Sequence, residues 1–225
     1  MEKLHFTLFL ENYERNKGDI EKGPYIPQMD LAITCHELIL LEDRYLYTRR
    51  VTWDLLQLWD ISPEELFSRA GEDARRFLPP QVVPLRKILE AQYTKTESCE
   101  DEMISESFIR TSVDFIRLLD IDEADFPPLY VVSNPLILRG ASVVFYSDIL
   151  DEFANEIDSD LVLLPSSIHE WFVLPQSKAG ELEELKSIVY DANHLVVSDH
   201  EILSFNVYRY SRKSKRIEVW MKEEH

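Results

Sequence analysis

The period of the apolar positions changes repeatedly along this chain, and each change marks an element. Leu4 to Tyr13 is rich in aliphatic and aromatic residues and runs into Glu14-Arg15-Asn16-Lys17-Gly18, which predicts a strand followed by a short helix or turn. Pro24 and Pro27 enforce extended backbone. Asp30 to Leu40 predicts a second strand, turned at Glu42-Asp43-Arg44 into a third over Tyr45 to Thr48, so a hairpin is expected. Val51, Leu55, Leu58 and Trp59 share a helical face. Ser62-Pro63-Glu64-Glu65 then reads as a helix start, with Ser62 at the N-cap and Pro63 at the first helical position. That helix runs to about Arg76 and stops before Pro79-Pro80. Val82 to Tyr93 predicts another short helix, and Phe108 to Leu119 a further one inside a strongly acidic stretch over 94–126.

After this stretch, Leu129 to Ser133 reads as a short buried strand broken by Asn134-Pro135. Val144, Phe145, Ile149, Phe153 and Ile157 recur at helical spacing, predicting a helix from Ala141 to about Asp158. Leu161 to Leu164 and Trp171 to Leu174 are apolar runs around a polar Pro165 to Glu170, a hairpin with an unusual tip. Leu182, Leu185, Ile188, Val189, Ala192 and Leu195 mark an amphipathic helix. Phe205 to Tyr210 and Ile217 to Met221 flank the basic turn Ser211-Arg212-Lys213-Ser214-Lys215. The order is β-α-β-β-α-α and then β-α-β-β-α-β-β, which implies an α+β fold of mostly antiparallel sheets with helices packed on one face. The acidic insertion from about 94 separates an N-terminal half, 1–126, from a C-terminal half, 127–225, unless the two form one continuous domain.

Composition narrows the functional classes. With 45% apolar residues in 225, the chain buries a core without disulfides or a structural metal. Cys35 and Cys99 form neither a disulfide framework nor a CxxC pair and suit a reducing cytosol. Lys plus Arg number 24 against 42 Asp plus Glu, a net charge of −18, which argues against general nucleic-acid or anionic-membrane binding. The apolar Leu4 to Leu10 is too short for a signal peptide and is followed by Glu11 and Glu14. No run approaches the roughly 18 apolar residues of a membrane span, so a soluble cytoplasmic protein is expected.

Motifs for chemistry are sparse. Pro165-Ser166-Ser167-Ile168-His169-Glu170 brings a hydroxyl, an imidazole and a carboxylate together, but extended backbone points His169 and Glu170 to opposite faces, and no glycines build a nucleophile elbow. Local serine turns are the better account of these side chains. There is no HExxH or CxxC. Asp120 to Val131 fails as a calcium loop because Asp125 stands where glycine is needed and Val131 where a glutamate binds. His194, Asp199, His200 and Glu201 cluster in sequence without metal-ligand spacing. Five glycines, Gly18, Gly23, Gly71, Gly140 and Gly180, make neither a P-loop nor a dinucleotide fingerprint. No cofactor, metal or catalytic residue is assigned.

The string Asp160-Leu161-Val162-Leu163-Leu164-Pro165-Ser166-Ser167-Ile168-His169-Glu170, with Asn193 and Glu201-Ile202-Leu203-Ser204-Phe205-Asn206-Val207-Tyr208, resembles an uncharacterised bacterial family, domain of unknown function 5688. Asp30-Leu31-Ala32-Ile33, Leu58-Trp59-Asp60-Ile61 and Gly140-Ala141-Ser142 are similar to it as well. The resemblance supplies no activity and implies that the acidic 94–126 stretch is peripheral or specific to this protein. A more distant likeness to a second, cytoplasmic family agrees with the mixed order of elements.

The resulting expectation is a binding or regulatory module for a protein or small-molecule ligand. Its binding residues are Ser166, Ser167, His169, Glu170 and Asn193, at a groove rim where His169 is partly accessible and the serine hydroxyls are free to donate. Two alternatives stand beside it: a hydrolase-like enzyme using Ser166 and His169, and an acidic mimic of nucleic acid that occupies a basic partner.

Overall fold

Seven consecutive residues, Phe6 to Asn12, are all buried, and the strand they form, β1, organises the first of two antiparallel sheets. The computed structural model describes residues 4–42, 45–88 and 128–222. Within them lie β1, α1 (Tyr13–Ile20), β2 (Tyr25–Gln28), β3 (Leu31–Glu42), β4 (Tyr45–Arg50), α2 (Trp53–Trp59), α3 (Pro63–Phe77), β5 (Gln81–Pro84), β6 (Tyr130–Ser133), α4 (Val143–Tyr146), α5 (Ile149–Glu156), β7 (Leu161–Pro165), β8 (Trp171–Pro175), α6 (Leu182–Leu195), β9 (Tyr208–Ser211) and β10 (Arg216–Val219). The fold is α+β. The expected helix over 108–119, the acidic stretch and the boundary at 126 lie outside the described residues.

In the four-stranded sheet, β3 is central, with β1 on one side and both β2 and β4 paired to it. One face carries Phe6, Leu8, Leu10, Ile33 and Cys35 into a core shared with Leu56 of α2 and Leu66, Ala70 and Ala74 of α3. The α3 start follows its sequence: the Ser62 side chain accepts the Glu65 amide at 3.2 Å, and Pro63 opens the helix. The other face of β1 carries Thr7, Phe9 and Glu11, equally buried.

The six-stranded sheet has the order β10-β9-β7-β8-β6-β5. The expectation of helices on one face holds for the first sheet, whereas here both faces are covered. Leu161, Leu163, Trp171, Val173 and Tyr208 pack with residues of α4 and α5, while Val162, Leu164, Phe172 and Leu174 pack against α6. Unbroken apolar runs such as Leu161 to Leu164 are what a doubly covered strand requires. Residues 81–84 are strand rather than helix: Val82 and Val83 pair with Val132 and Val131, and Pro84 is tolerated on an edge. The helix expected over 141–158 breaks at Ser147, which is extended, and whose hydroxyl donates to Val143 O at 2.6 Å and faces the Ile149 amide.

The two sheets are tied at the β2–β3 turn. Asp30 accepts from the Tyr208 hydroxyl at 2.5 Å and from Ser204 Oγ at 2.7 Å, and the Asn12 amide donates to Leu203 O at 3.0 Å. Burial, then Asp30, pushes the Tyr208 hydroxyl above its ordinary value, so it remains a donor. Tyr208→Phe removes this tie from a half-buried carboxylate. It is expected to lower unfolding free energy by about 2 kcal/mol in urea titrations; an unchanged midpoint contradicts the role given to the contact.

Candidate functional site

The alternation Ile33-Thr34-Cys35-His36 in β3 sends Ile33 and Cys35 to the apolar core and Thr34 and His36 to the opposite face, where they meet Phe9 and Glu11 of β1. A charged group on a strand buried on both faces needs a partner, and Arg50, opposite His36 in the register with β4, reaches across to supply it. Arg50 Nη2 donates to both Glu11 oxygens at 2.7 Å. Thr34 Oγ1 donates to Glu11 Oε1 at 2.7 Å and lies 3.2 Å from His36 Nε2. Burial opposes the Glu11 charge, but His36, Arg50 and Thr34 outweigh it and hold the carboxyl at about 2. Burial dominates at His36 and lowers its value, so the ring is neutral at pH 7 even beside Glu11. A neutral ring donating from Nε2 to Thr34 Oγ1, which in turn donates to Glu11, is the arrangement these contacts allow.

A second arginine arrives from the loop after β6. Asn134 shapes this loop: its Oδ1 accepts from the Leu136 and Leu138 amides, and its Nδ2 donates to Leu138 O. Ile137 and Arg139 have left-handed backbone, at φ 48° and 54°, unusual for a β-branched residue above all. Gly140 follows because nothing larger fits: a Cβ would stand 2.8 Å from Asn134 N and from His169 O. Arg139 emerges with its guanidinium 5.5 Å from the centre of the Phe9 ring, whose other neighbour is His36, with ring centroids 4.2 Å apart. Burial works against the Arg139 charge, with Glu11 and Glu201 opposing that effect.

The β7–β8 tip meets the same loop. The Arg139 amide donates to His169 Nδ1 at 3.0 Å, and His169 Nε2 lies 3.2 Å from Glu201. The His169 side chain is 19% exposed, so the ring reaches solvent as expected. The serine hydroxyls do not. Ser166, Ser167, Glu170 and Asn193 are all buried. Ser167 Oγ donates to Glu170 Oε1 at 3.1 Å and accepts the His169 amide. Ser166 Oγ faces the Glu170 carboxyl without meeting any group in hydrogen-bond geometry. Asn193 Nδ2 donates to Ser204 O at 2.8 Å, while its Oδ1 is buried without a partner. The tip is bonded to the same segment at a different residue, Ile168 N donating to Glu201 O. The imidazole of His169 touches neither serine hydroxyl, so the geometry of a nucleophile and its base is not assembled here.

Other polar groups are spent locally. In the basic β9–β10 turn, Arg212 pairs with Asp158 and Lys215 with Asp151, each at 2.7 Å, beside a groove of about 460 Å3 that also receives Tyr210 and Arg216. Among the described residues, no group of three or more His, Cys, Asp or Glu is placed to hold a metal ion. No described helix is long and apolar enough to cross a membrane.

Comparison with known families matches residues 2–212 to a family of unknown function, DUF5688. The chain belongs to this family. No curated protein and no solved structure matches it. In this DUF5688 chain, Glu11, His36, Arg50 and Arg139 were not singled out by motif. The Thr34 and His36 alternation with Ile33 and Cys35 in the buried half of β3 was the one available signal, while Arg50 and Arg139 come from segments whose meeting depends on register and loop shape.

Two substitutions test the electrostatics. Glu11→Gln strands the Arg50 charge and is expected to cost about 3 kcal/mol in chemical denaturation; a loss below 1 kcal/mol contradicts the pairing. Glu170 behaves oppositely: burial raises its value above the ordinary 4.5, only partly offset by His169 and the two serines. Its contribution to stability is full below 4.5 and is lost as pH rises through the raised value. Glu170→Gln is therefore expected to melt higher than the parent at pH 8 and to converge with it near pH 4; a lower melting temperature at pH 8 contradicts this.

Proposed function

We propose that this protein is a binding module whose ligand site is the polar seam between Phe9, His36 and Arg50 of the first sheet and Arg139, His169 and Glu201 beside the second. The observation that carries this reading is the excess of donors over acceptors there. Arg50 Nη1 is buried without a partner, and the half-buried Arg139 side chain makes no hydrogen bond or ion pair among the described residues. A fold that needed Arg50 only for stability would satisfy its Nη1, since an unmet buried donor costs roughly 1–3 kcal/mol. The strained loop and the close fit at Gly140, which deliver Arg139 to this face, support the same reading. Regulation of a partner through the bound state of the seam is the role such a module would serve.

The test is a thermal-shift screen of a small-metabolite library on the parent and on Arg139→Ala and His169→Ala. At least one compound is expected to raise the parent's melting temperature and to lose its effect in both variants. A library in which no compound separates the parent from the variants overturns the reading.

A further inference from the structure

Resting on that reading, we infer that the seam takes an oxyanion, the phosphate or carboxylate group of a small molecule, between the guanidiniums of Arg139 and Arg50. Glu11 already satisfies one edge of Arg50, through Nη2 alone, which leaves Nη1 buried with no hydrogen-bond partner. Among the described residues the Arg139 fork makes no hydrogen bond or ion pair, Glu11 being bonded to Arg50 and Glu201 lying against His169. The two cations sit close enough that each charge acts on the other, and both act on His36, which lies between Arg50 and the Phe9 ring under Arg139. Glu11 is bonded to Arg50, and Glu11 and Glu201 act on Arg139 only through space, so the Arg139 N–H groups have no bonded acceptor among the described residues. Guanidinium donors match the paired oxygens of phosphate and carboxylate, which a neutral ligand does not offer.

Aromatic support from Phe9 fixes the plane of Arg139 before the ligand arrives, so less side-chain freedom is lost on binding. Arg139 is half-exposed while Arg50 Nη1 is buried, so the ligand enters past Arg139 and its anionic head reaches Arg50 last. The chain's net charge of −18 repels anions at long range, but at physiological salt that field decays over roughly 8 Å and the local donors decide.

The experiment uses inorganic phosphate and succinate as separate probes, with sodium chloride at matched ionic strength as reference, read by isothermal titration and melting temperature on the full chain. Saturable binding of either probe is expected, with about tenfold weaker binding in Arg139→Lys and none in Arg139→Ala. Phosphate alone assigns a phosphate head, and succinate alone assigns a carboxylate. Among the described residues no hydrogen-bond partner is lost with the Arg139 side chain, so Arg139→Ala is expected to fold like the parent, checked by its amide NMR spectrum. Arg50→Ala is avoided because it would strand Glu11. Equal binding by parent and Arg139→Ala, or melting shifts no larger than those of chloride, overturns the oxyanion assignment. Should neutral compounds bind at the seam while both probes fail, the assignment falls and the binding-module reading stands; failure of every compound removes both.

Discussion

The ionised Glu11 on a strand buried from both sides is the constraint around which the first sheet is built. β1 cannot turn Glu11 to solvent without also moving Phe6, Leu8 and Leu10 out of the core, because one step of register exchanges the two faces. Arg50 must therefore cross the sheet, and Thr34 and His36 must stand beneath it as polar residues in the buried half of β3. Replacement of such a pair by well-packed aliphatic groups often costs a fold nothing. Its presence here, together with Arg50 Nη1 left unmatched, is what the proposed binding role of this face rests on.

The second sheet supplies what the first lacks. Its own core is conventional, with apolar strands covered on both faces, and its irregular parts gather at one end: the loop 134–139, the 166–170 tip and the segment around 199–206. These parts interlock through backbone groups. Ser133 Oγ donates to His169 O at 2.7 Å, Ala141 N to Ile168 O, and Ile168 N to Glu201 O. Arg139 is held over Phe9 as a result of this interlocking, and β1 is tied in directly by Ser142, whose hydroxyl donates to Leu8 O at 2.6 Å.

The elements set by local patterning were readable from the chain: the Ser62-Pro63 helix start, the β7–β8 hairpin and the amphipathic α6 appear close to where periodicity places them. The exceptions have physical causes. Val82-Val83-Pro84 is too short for its period to distinguish edge strand from helix, and the Ser147 hydroxyl breaks a helix whose apolar spacing continues through it. At the tip, the polarity of Ser166, Ser167 and Glu170 suggested solvent, yet these groups face inward and satisfy one another in part. Polarity marks a residue that needs partners; whether they are water or protein is set by tertiary packing. The family match to DUF5688 agrees with the resemblance carried by these strings and adds no chemistry to them.

Carbon-13 NMR titration of the Glu11 side-chain carboxyl measures most directly whether this face is ionised and organised as described. Paired to Arg50 and bonded by Thr34, the carboxylate is predicted to remain charged until the pH approaches about 2. A Glu11 resonance that titrates at the ordinary value near 4.5, or above it, would mean that burial prevails over its partners and would contradict the account of the seam.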